Sequence, residues 1–459
     1  MLRYAERERV SPLSNNNQHR TLIMSSDQNR PLHSGDYRTL ALAALGGTLE
    51  FYDFVIYVFF AVAMGHVFFP ANSPDWLVQL QTYGIFAAGY LARPLGGIIM
   101  AHFGDLQGRK RMFTLSILMM ALPTFAMGLL PSYAKIGIWA PLMLLSLRVL
   151  QGAAIGGEIP GAWVFVSEHV PARRVGFACG TLTSGLTMGI LLGSLMATAI
   201  HSSFSPAELL DYAWRIPFLV GGVFGLVSVW LRGYLQETPI FKELEKKRAL
   251  SSEWPMKRVL SSHRSGMLLS MLVTWLLTGG IVVVILMTPA MLGKLPAIGA
   301  SKALLANCLA VACLSFGCTW AGSLTDRFGN GPVLGVGSVL VFGACHVFYT
   351  QIGSNPGLLF PGYALLGLTV GIVIATVPCI MVKAFPAAVR FSGLSLSYNL
   401  AYAIFGGLTP MAVTLMLKSD ALAPAHYVEA LAVMGLVLGI CLTLQRRTVG
   451  LTTVAQAPR

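Results

Sequence analysis

The chain has 459 residues, 55% of them hydrophobic and only 11% charged. Soluble domains carry about 25% charged residues, so this composition and a mean hydropathy of +0.68 exclude an ordinary soluble enzyme or binding module. The net charge of +13 fits a nucleic-acid partner only if position is ignored; the basic residues cluster in alternate polar links, as membrane topology requires.

At about 20 residues per pass, twelve helices need roughly 240 residues. The remainder makes short links, one central linker and two tails. Residues 1–38 read as an irregular polar tail. The first span, about 39–69, carries Glu50, Asp53 and Tyr57 at helical spacing, so the three share a face. Carboxylates in the middle of a spanning helix are costly and mark function by default. The second span, about 79–103, carries Arg93, and the fourth, 138–166, carries Arg148, Gln151 and Glu158. Gly185, Gly189 and Gly193 in the fifth span (175–200) predict a glycine stripe for close packing. The sixth span closes the first half, 39–236, and the charged stretch 237–265 reads as a linker, part of it suited to an amphipathic surface helix.

The second half, 266–445, repeats the plan with six more spans and ends in a tail at 446–459. The acids able to move a proton are expected in the first half. His346 in the ninth span reads as a core histidine, with proton relay as the rival. The polar link holding Asp105, Gly108, Arg109 and Lys110 returns about half a chain later as Gly322, Asp326 and Arg327. A link repeated at half the length implies two related halves. Its Asp can accept from the N-terminus of a neighbouring helix, where the dipole favours an anion. Such a pair of links would latch the two bundles together. Lys135, Arg215, Lys294, Lys302 and Lys418 fall in one set of links, and nearly all the rest of the 32 basic residues fall in the tails and the other set. By the positive-inside rule both termini are expected in the cytoplasm. The seven cysteines sit in apolar segments without CxxC spacing, so neither a metal site nor a cofactor is expected.

The stretches GTLEFYDF (47–54), RPLGG (93–97), GDLQGRK (104–110), RVLQGAAIGGE (148–158), WRIPF (214–218), ETPIF (237–241), VRFSGLSLSYN (389–399) and FGGLTP (405–410) resemble the major facilitator superfamily. More narrowly they resemble its metabolite:proton symporters, carriers of 2-oxoglutarate, citrate, shikimate, and proline or betaine. Leu106 stands where the family loop usually has Arg, Ala101 where it has Gly, Asn330 where a basic residue is common, and Ile159-Pro160-Gly161 where Tyr-Gly-Gly often follows. The resemblance implies an all-α membrane protein of twelve helices in two pseudo-symmetric six-helix bundles. It also implies proton-coupled uptake of a small organic metabolite, a carboxylate by first choice, across the bacterial inner membrane. A zwitterion such as proline or betaine, an efflux antiporter and a non-transporting sensor are the alternatives. Drug/proton antiporters of the superfamily carry Gly-Pro in the fifth helix, and the stripe at 185–193 has no Pro. The carrier is expected to act as a monomer among membrane lipid.

The resemblance places Asp53 and Arg148 where the superfamily's proton carriers pair an acid with an arginine. A buried Asp is stabilised as an anion by a nearby Arg, and protonating it releases the Arg. A static ion pair is the rival reading. Glu50 and Glu158 are secondary proton-coupling candidates. Arg93 is either a substrate carboxylate contact or the structural partner of Glu50 or Glu158. Tyr57 in the first half, and Trp275, Tyr398, Asn399 and Tyr402 in the second, are candidate polar contacts to substrate.

Overall fold

The computed structural model describes residues 31–107, 109–156, 158–232, 259–260, 262–386 and 389–455, with side chains except at 100–117, 231–232 and 446–455. Every described element is helical. The passes are α1 (Ser34–Phe59, continued after a break at Phe60 by Ala61–Phe68), α2 (Asp75–Gln107), α3 (Arg109–Leu129), α4 (Trp139–His169), α5 (Ala172–Ser203) and α6 (Arg215–Arg232) in the first half. They continue as α7 (Arg264–Leu292), α8 (Ala300–Phe328), α9 (Asn330–Gln351), α10 (Pro356–Ala384), α11 (Arg390–Met416) and α12 (Ala423–Ala455). Nine of these are long and apolar enough by themselves to cross a membrane, among the described residues; α6 with the bent Pro206–Ala213 turn before it makes up to ten. The linker expected at 237–265, with its surface helix, lies largely outside the described residues.

Two ends differ from the expected spans. The first helix starts at Ser34 rather than near 39, because the Asp36 carboxylate in its first turn accepts the His33 N–H at 2.9 Å. The last helix runs to Ala455, past the expected stop at 445.

Close approach through small residues builds each bundle. The predicted stripe of α5 is real: Gly185, Gly189 and Gly193 lie against Ala44, Thr48 with Phe51, and Phe59 of α1. Gly152 and Gly156 of α4 meet the backbone of α2 at Gly89 and Arg93, so a methyl at either would collide with main chain. Gly367 and Gly371 of α10 do the same against Ala310 and Leu314 of α8. Without a hydrophobic drive between helices in lipid, this close packing is the main source of attraction. The Arg215 of the WRIPF stretch donates to Gly128 and Leu130 carbonyls at 2.9 and 2.7 Å, covering the open end of α3.

The two bundles meet along α5–α8 and α2–α11. On the face that carries the described chain ends, the Asp326 carboxylate of α8 accepts the Gly176 and Phe177 N–H groups at the start of α5, at 2.6 and 2.9 Å. Arg390 of α11 pairs with Glu168 of α4 at 3.1 Å beside it. Toward the opposite face, Asn307 of α8 donates to Ser194 of α5 at 3.1 Å, and the Lys418 ammonium sits 3.7 Å over the Trp76 ring of α2. The described residues thus hold the bundles together toward both faces.

Candidate functional site

Five charged side chains are buried among the described residues: Glu50, Asp53, Arg93, Arg148 and Glu158. All come from the first bundle, as the sequence led one to expect. In the second half an acid, Glu429, also lies within a span, α12. It pairs with His346 at 3.0 Å, and His346 is 60% exposed. His346 is therefore neither a core residue nor part of the central cluster.

Arg93 is fully buried, and its guanidinium lies in an aromatic cage drawn from both bundles. Its carbon stands 4.3 Å from the ring centre of Tyr402, 5.4 Å from Tyr398, 5.5 Å from Tyr90 and 5.9 Å from Phe54. Tyr90 stacks on Tyr402 across the seam, with ring centres 5.4 Å apart and planes 8° from parallel. Trp163 meets Tyr398 edge-on at 5.2 Å. A π-helical stretch in α11, Tyr402–Gly406, begins at the nearest ring; such widened turns re-aim side chains and recur at functional sites. The Nε and Nη2 atoms of Arg93 make no hydrogen bond. Those two donors form one edge of the guanidinium fork, the edge that takes a carboxylate side-on.

Arg148 lies one layer away. Its guanidinium carbon is 4.5 Å from the Tyr57 ring centre, 4.7 Å from Phe54 and 5.6 Å from Phe86. Phe54 therefore stands between the two arginines, within cation–π range of both. Arg148 Nη1 donates to Gln151 Oε1 at 2.5 Å and to the Phe54 carbonyl at 3.4 Å. The Tyr57 hydroxyl donates to the Thr82 carbonyl at 3.1 Å.

The expected Asp53–Arg148 ion pair is absent from the structure, which is the main correction to the sequence reading. Both Asp53 carboxylate oxygens are buried without a hydrogen-bond partner. They face α6: a methyl at Gly221 would stand 2.7 Å from Oδ1, and one at Gly225 would stand 3.4 Å from Oδ2. Gln151 occupies the gap instead. Its Nε2 donates to the Asp53 main-chain carbonyl at 3.0 Å and to Thr124 Oγ1 at 2.7 Å. Glu50 also turns to α6, where Ser228 donates to it at 3.2 Å. Glu50, Asp53 and Tyr57 share spacing on α1 as expected, yet the acids meet the small-residue stripe Gly221, Gly225, Ser228 while Tyr57 meets α2. Spacing along one helix could not reveal the gap that α6 provides.

Of the second-half candidates, Tyr398 and Tyr402 join the Arg93 cage. Asn399 spans the seam, its Nδ2 donating to the Gly156 carbonyl of α4 and, at 2.9 Å, to Ser395. Trp275 stands apart. It stacks on Phe405 with ring centres 4.1 Å apart and donates to Tyr427 at 2.7 Å, all within the second bundle. Tyr90 and Phe54 line the cage without having stood out in the sequence. The Tyr90–Arg93 spacing of three, one helix face, was the available signal. Glu158 is buried at the start of the Glu158–His169 part of α4. Of the two repeated links, Gly322, Asp326 and Arg327 lie in α8. The Gly322 main chain abuts Gly176 and Gly180 of α5, and the Arg327 guanidinium lies over Phe328 at 5.2 Å. Gly108, and the side chains of Asp105, Arg109 and Lys110, lie outside the described residues. Among the described residues no group of three or more metal-ligating side chains converges.

Two bundles of spanning helices that meet over buried, aromatic-walled arginines are the architecture of a membrane carrier, and the seam between the halves is its candidate site. The family model of the Major Facilitator Superfamily matches residues 44–410. A proline/betaine transporter of Salmonella typhimurium is 32% identical over 91% of this chain and 86% of its own. The citrate-proton symporter of Klebsiella pneumoniae is 31% identical over 89% of this chain and 92% of its own. A xylose transporter of E. coli, in a partially occluded inward-open conformation, superposes with a TM-score of 0.68 at 17% identity, over 89% of this chain and 97% of its own. The chain belongs to the Major Facilitator Superfamily. It is a transporter, not an enzyme.

Proposed function

We propose that this protein is a proton-coupled symporter that takes up a small zwitterionic metabolite with one carboxylate, across a bacterial inner membrane, with both termini in the cytoplasm. The observation that carries the substrate class is the Arg93 cage. Its unpartnered Nε/Nη2 edge suits a single carboxylate. The surrounding tyrosines offer π-faces to a quaternary or secondary ammonium on the same molecule. Charge balance points the same way. Glu50, Asp53 and Glu158 already match or exceed Arg93 and Arg148 in buried charge, so a tricarboxylate would bring uncompensated anions into a low-dielectric centre. A zwitterion adds none. The names of the proline/betaine relatives agree with this reading, and that of the citrate relative marks its rival.

For proton coupling, Asp53 is the proposed acceptor. A buried carboxyl without hydrogen-bond partners is far cheaper to hold neutral than charged. Ionising it calls for a cation, and Arg148 is the nearby one not already in the Arg93 cage. Protonation thus decides whether Arg148 is drawn toward α1, and thereby which packing of the bundles is favoured. Substrate on Arg93 touches rings of both bundles, so it favours the closed arrangement in which those rings converge.

The test is uptake by purified protein in liposomes, with labelled proline, glycine betaine and citrate and an imposed inward proton gradient. Accumulation of a zwitterion, abolished when the gradient is collapsed, is the expected result. Accumulation of citrate alone would overturn the substrate class. Asp53→Asn is expected to retain substrate exchange and lose accumulation; full accumulation by this variant would remove Asp53 from the mechanism.

A further inference from the structure

We infer that Gln151 is a positioning residue for proton coupling: its side-chain amide holds Arg148 away from the Asp53 carboxyl and so sets the pH at which the carrier loads its proton. The inference rests on Asp53 being the proton acceptor.

Gln151 is fully buried and sits three residues after Arg148, on the same face of α4. Both ends of its amide are engaged. Oε1 accepts from Arg148 Nη1 at 2.5 Å, while Nε2 donates to the Asp53 main-chain carbonyl at 3.0 Å and to Thr124 Oγ1 at 2.7 Å. Thr124 in turn donates to the Met120 carbonyl at 2.9 Å, which fixes its hydroxyl as an acceptor toward Gln151. The amide is therefore locked in one orientation by three helices, α1, α3 and α4. That orientation presents an acceptor to Arg148 and leaves no N–H donor for the Asp53 carboxylate. Arg148 Nε and Nη2 remain without partners, as do both Asp53 oxygens. An arginine and a carboxyl that would pair on ionisation, each short of partners, are kept apart by one neutral side chain attached to both.

The charged and titratable groups around this junction are few. They are Glu50, Tyr52 and Tyr57 on α1, Tyr83, Tyr90 and Arg93 on α2, and Arg148 on α4. The adjoining positions of α3 and α6 supply Thr124, Gly221, Gly225 and Ser228, which do not titrate in this range. Arg148 is thus the cation that Gln151 controls. Removing the acceptor frees the guanidinium to seek Asp53 and favours the carboxylate. Replacing the amide by a carboxylate fixes Arg148 more firmly and adds a like charge near Asp53, which disfavours the carboxylate.

The opposite signs make the test. Proton-driven accumulation and substrate exchange are measured against pH in liposomes for Gln151→Leu, Gln151→Glu, Thr124→Val and Asp53→Asn. With exchange retained, the midpoint of accumulation is expected to move to lower pH by about one unit, a tenfold change in proton concentration, for Gln151→Leu. It is expected to move to higher pH for Gln151→Glu. Thr124→Val, which loosens Gln151 without touching a charge, is expected to shift the midpoint slightly to lower pH. If Gln151→Leu fails to fold, the near-isosteric Gln151→Glu and Thr124→Val carry the test. If Asp53→Asn accumulates fully, the coupling reading itself falls. If Asp53→Asn fails to accumulate while the Gln151 variants keep the parent midpoint, or move it in one common direction, Gln151 has no positioning role and the coupling reading stands.

Discussion

Replacing Asp326 by Asn should open the carrier toward the face that holds the described chain ends. In the structure this carboxylate accepts two N–H groups from the first turn of α5, at 2.6 and 2.9 Å, where the helix dipole adds to the attraction. Asn retains one neutral acceptor. The loss is therefore about one charge-assisted hydrogen bond, ~1.5–3 kcal/mol, plus a dipole contribution of ~0.3–1 kcal/mol. The site is half-buried, so solvent screening holds the total near 2 kcal/mol, about thirtyfold in the closed-to-open ratio. Natural thiols report the change. Cys179 of α5 and Cys379 of α10 are buried on opposite sides of this seam, with Thr325 Oγ1 4.0 Å from the Cys379 sulfur. Cys345 is buried within the second bundle, directed at the Ala425 carbonyl, and serves as the control. Labelling by a membrane-permeant maleimide, mapped by peptide mass spectrometry, should accelerate about thirtyfold at Cys179 and Cys379 where opening limits the rate, and leave Cys345 unchanged. Equal labelling of Asp326→Asn and parent would refute the latch. Equal acceleration at all three thiols would show general loosening instead.

Two further outcomes follow from side chains away from the centre. Trp275→Phe removes the hydrogen bond to Tyr427 but keeps the stack on Phe405, so it should lower thermal stability by about 1 kcal/mol and leave the KM for uptake unchanged; a raised KM would return Trp275 to the substrate site. The Asp420 carboxyl, in the loop after α11, is held below its ordinary range by the His426 side chain of α12 and the Leu422 N–H. A carboxyl with a lowered value in the folded state contributes stability above its unfolded value, and that stability is lost as pH falls through the lowered value. The melting temperature of the parent should therefore exceed that of Asp420→Asn at neutral pH, and the two should converge on acidification; a constant difference would refute the contribution.

The sequence by itself determined the class of the molecule. Runs of apolar residues at membrane length, a charge bias between alternate links and a link repeated at half the chain length define two related bundles of spanning helices. Charge in lipid is so costly that Glu50, Asp53, Arg93, Arg148 and Glu158 declared themselves as candidates before any fold was known. The glycine stripe of α5 was legible for a similar reason, since only contact with another helix makes such a stripe useful. The contact of Asp326 with the start of α5 was also foreseen in kind, because the end of one helix and the start of another attract across any bundle built this way.

Tertiary structure decided which of these groups meet. Asp53 and Arg148 do not pair, because the small stripe of α6 makes room for the acid on one side and Gln151 fills the gap on the other. The Arg93 cage draws Tyr398 and Tyr402 from a segment some three hundred residues away in the chain. Trp275 looked equivalent to them in sequence and lies elsewhere. Periodicity along one helix gives the face a residue occupies. Which neighbour covers that face is set by packing between helices, and in an apolar solvent that packing depends on where small residues let two backbones come close.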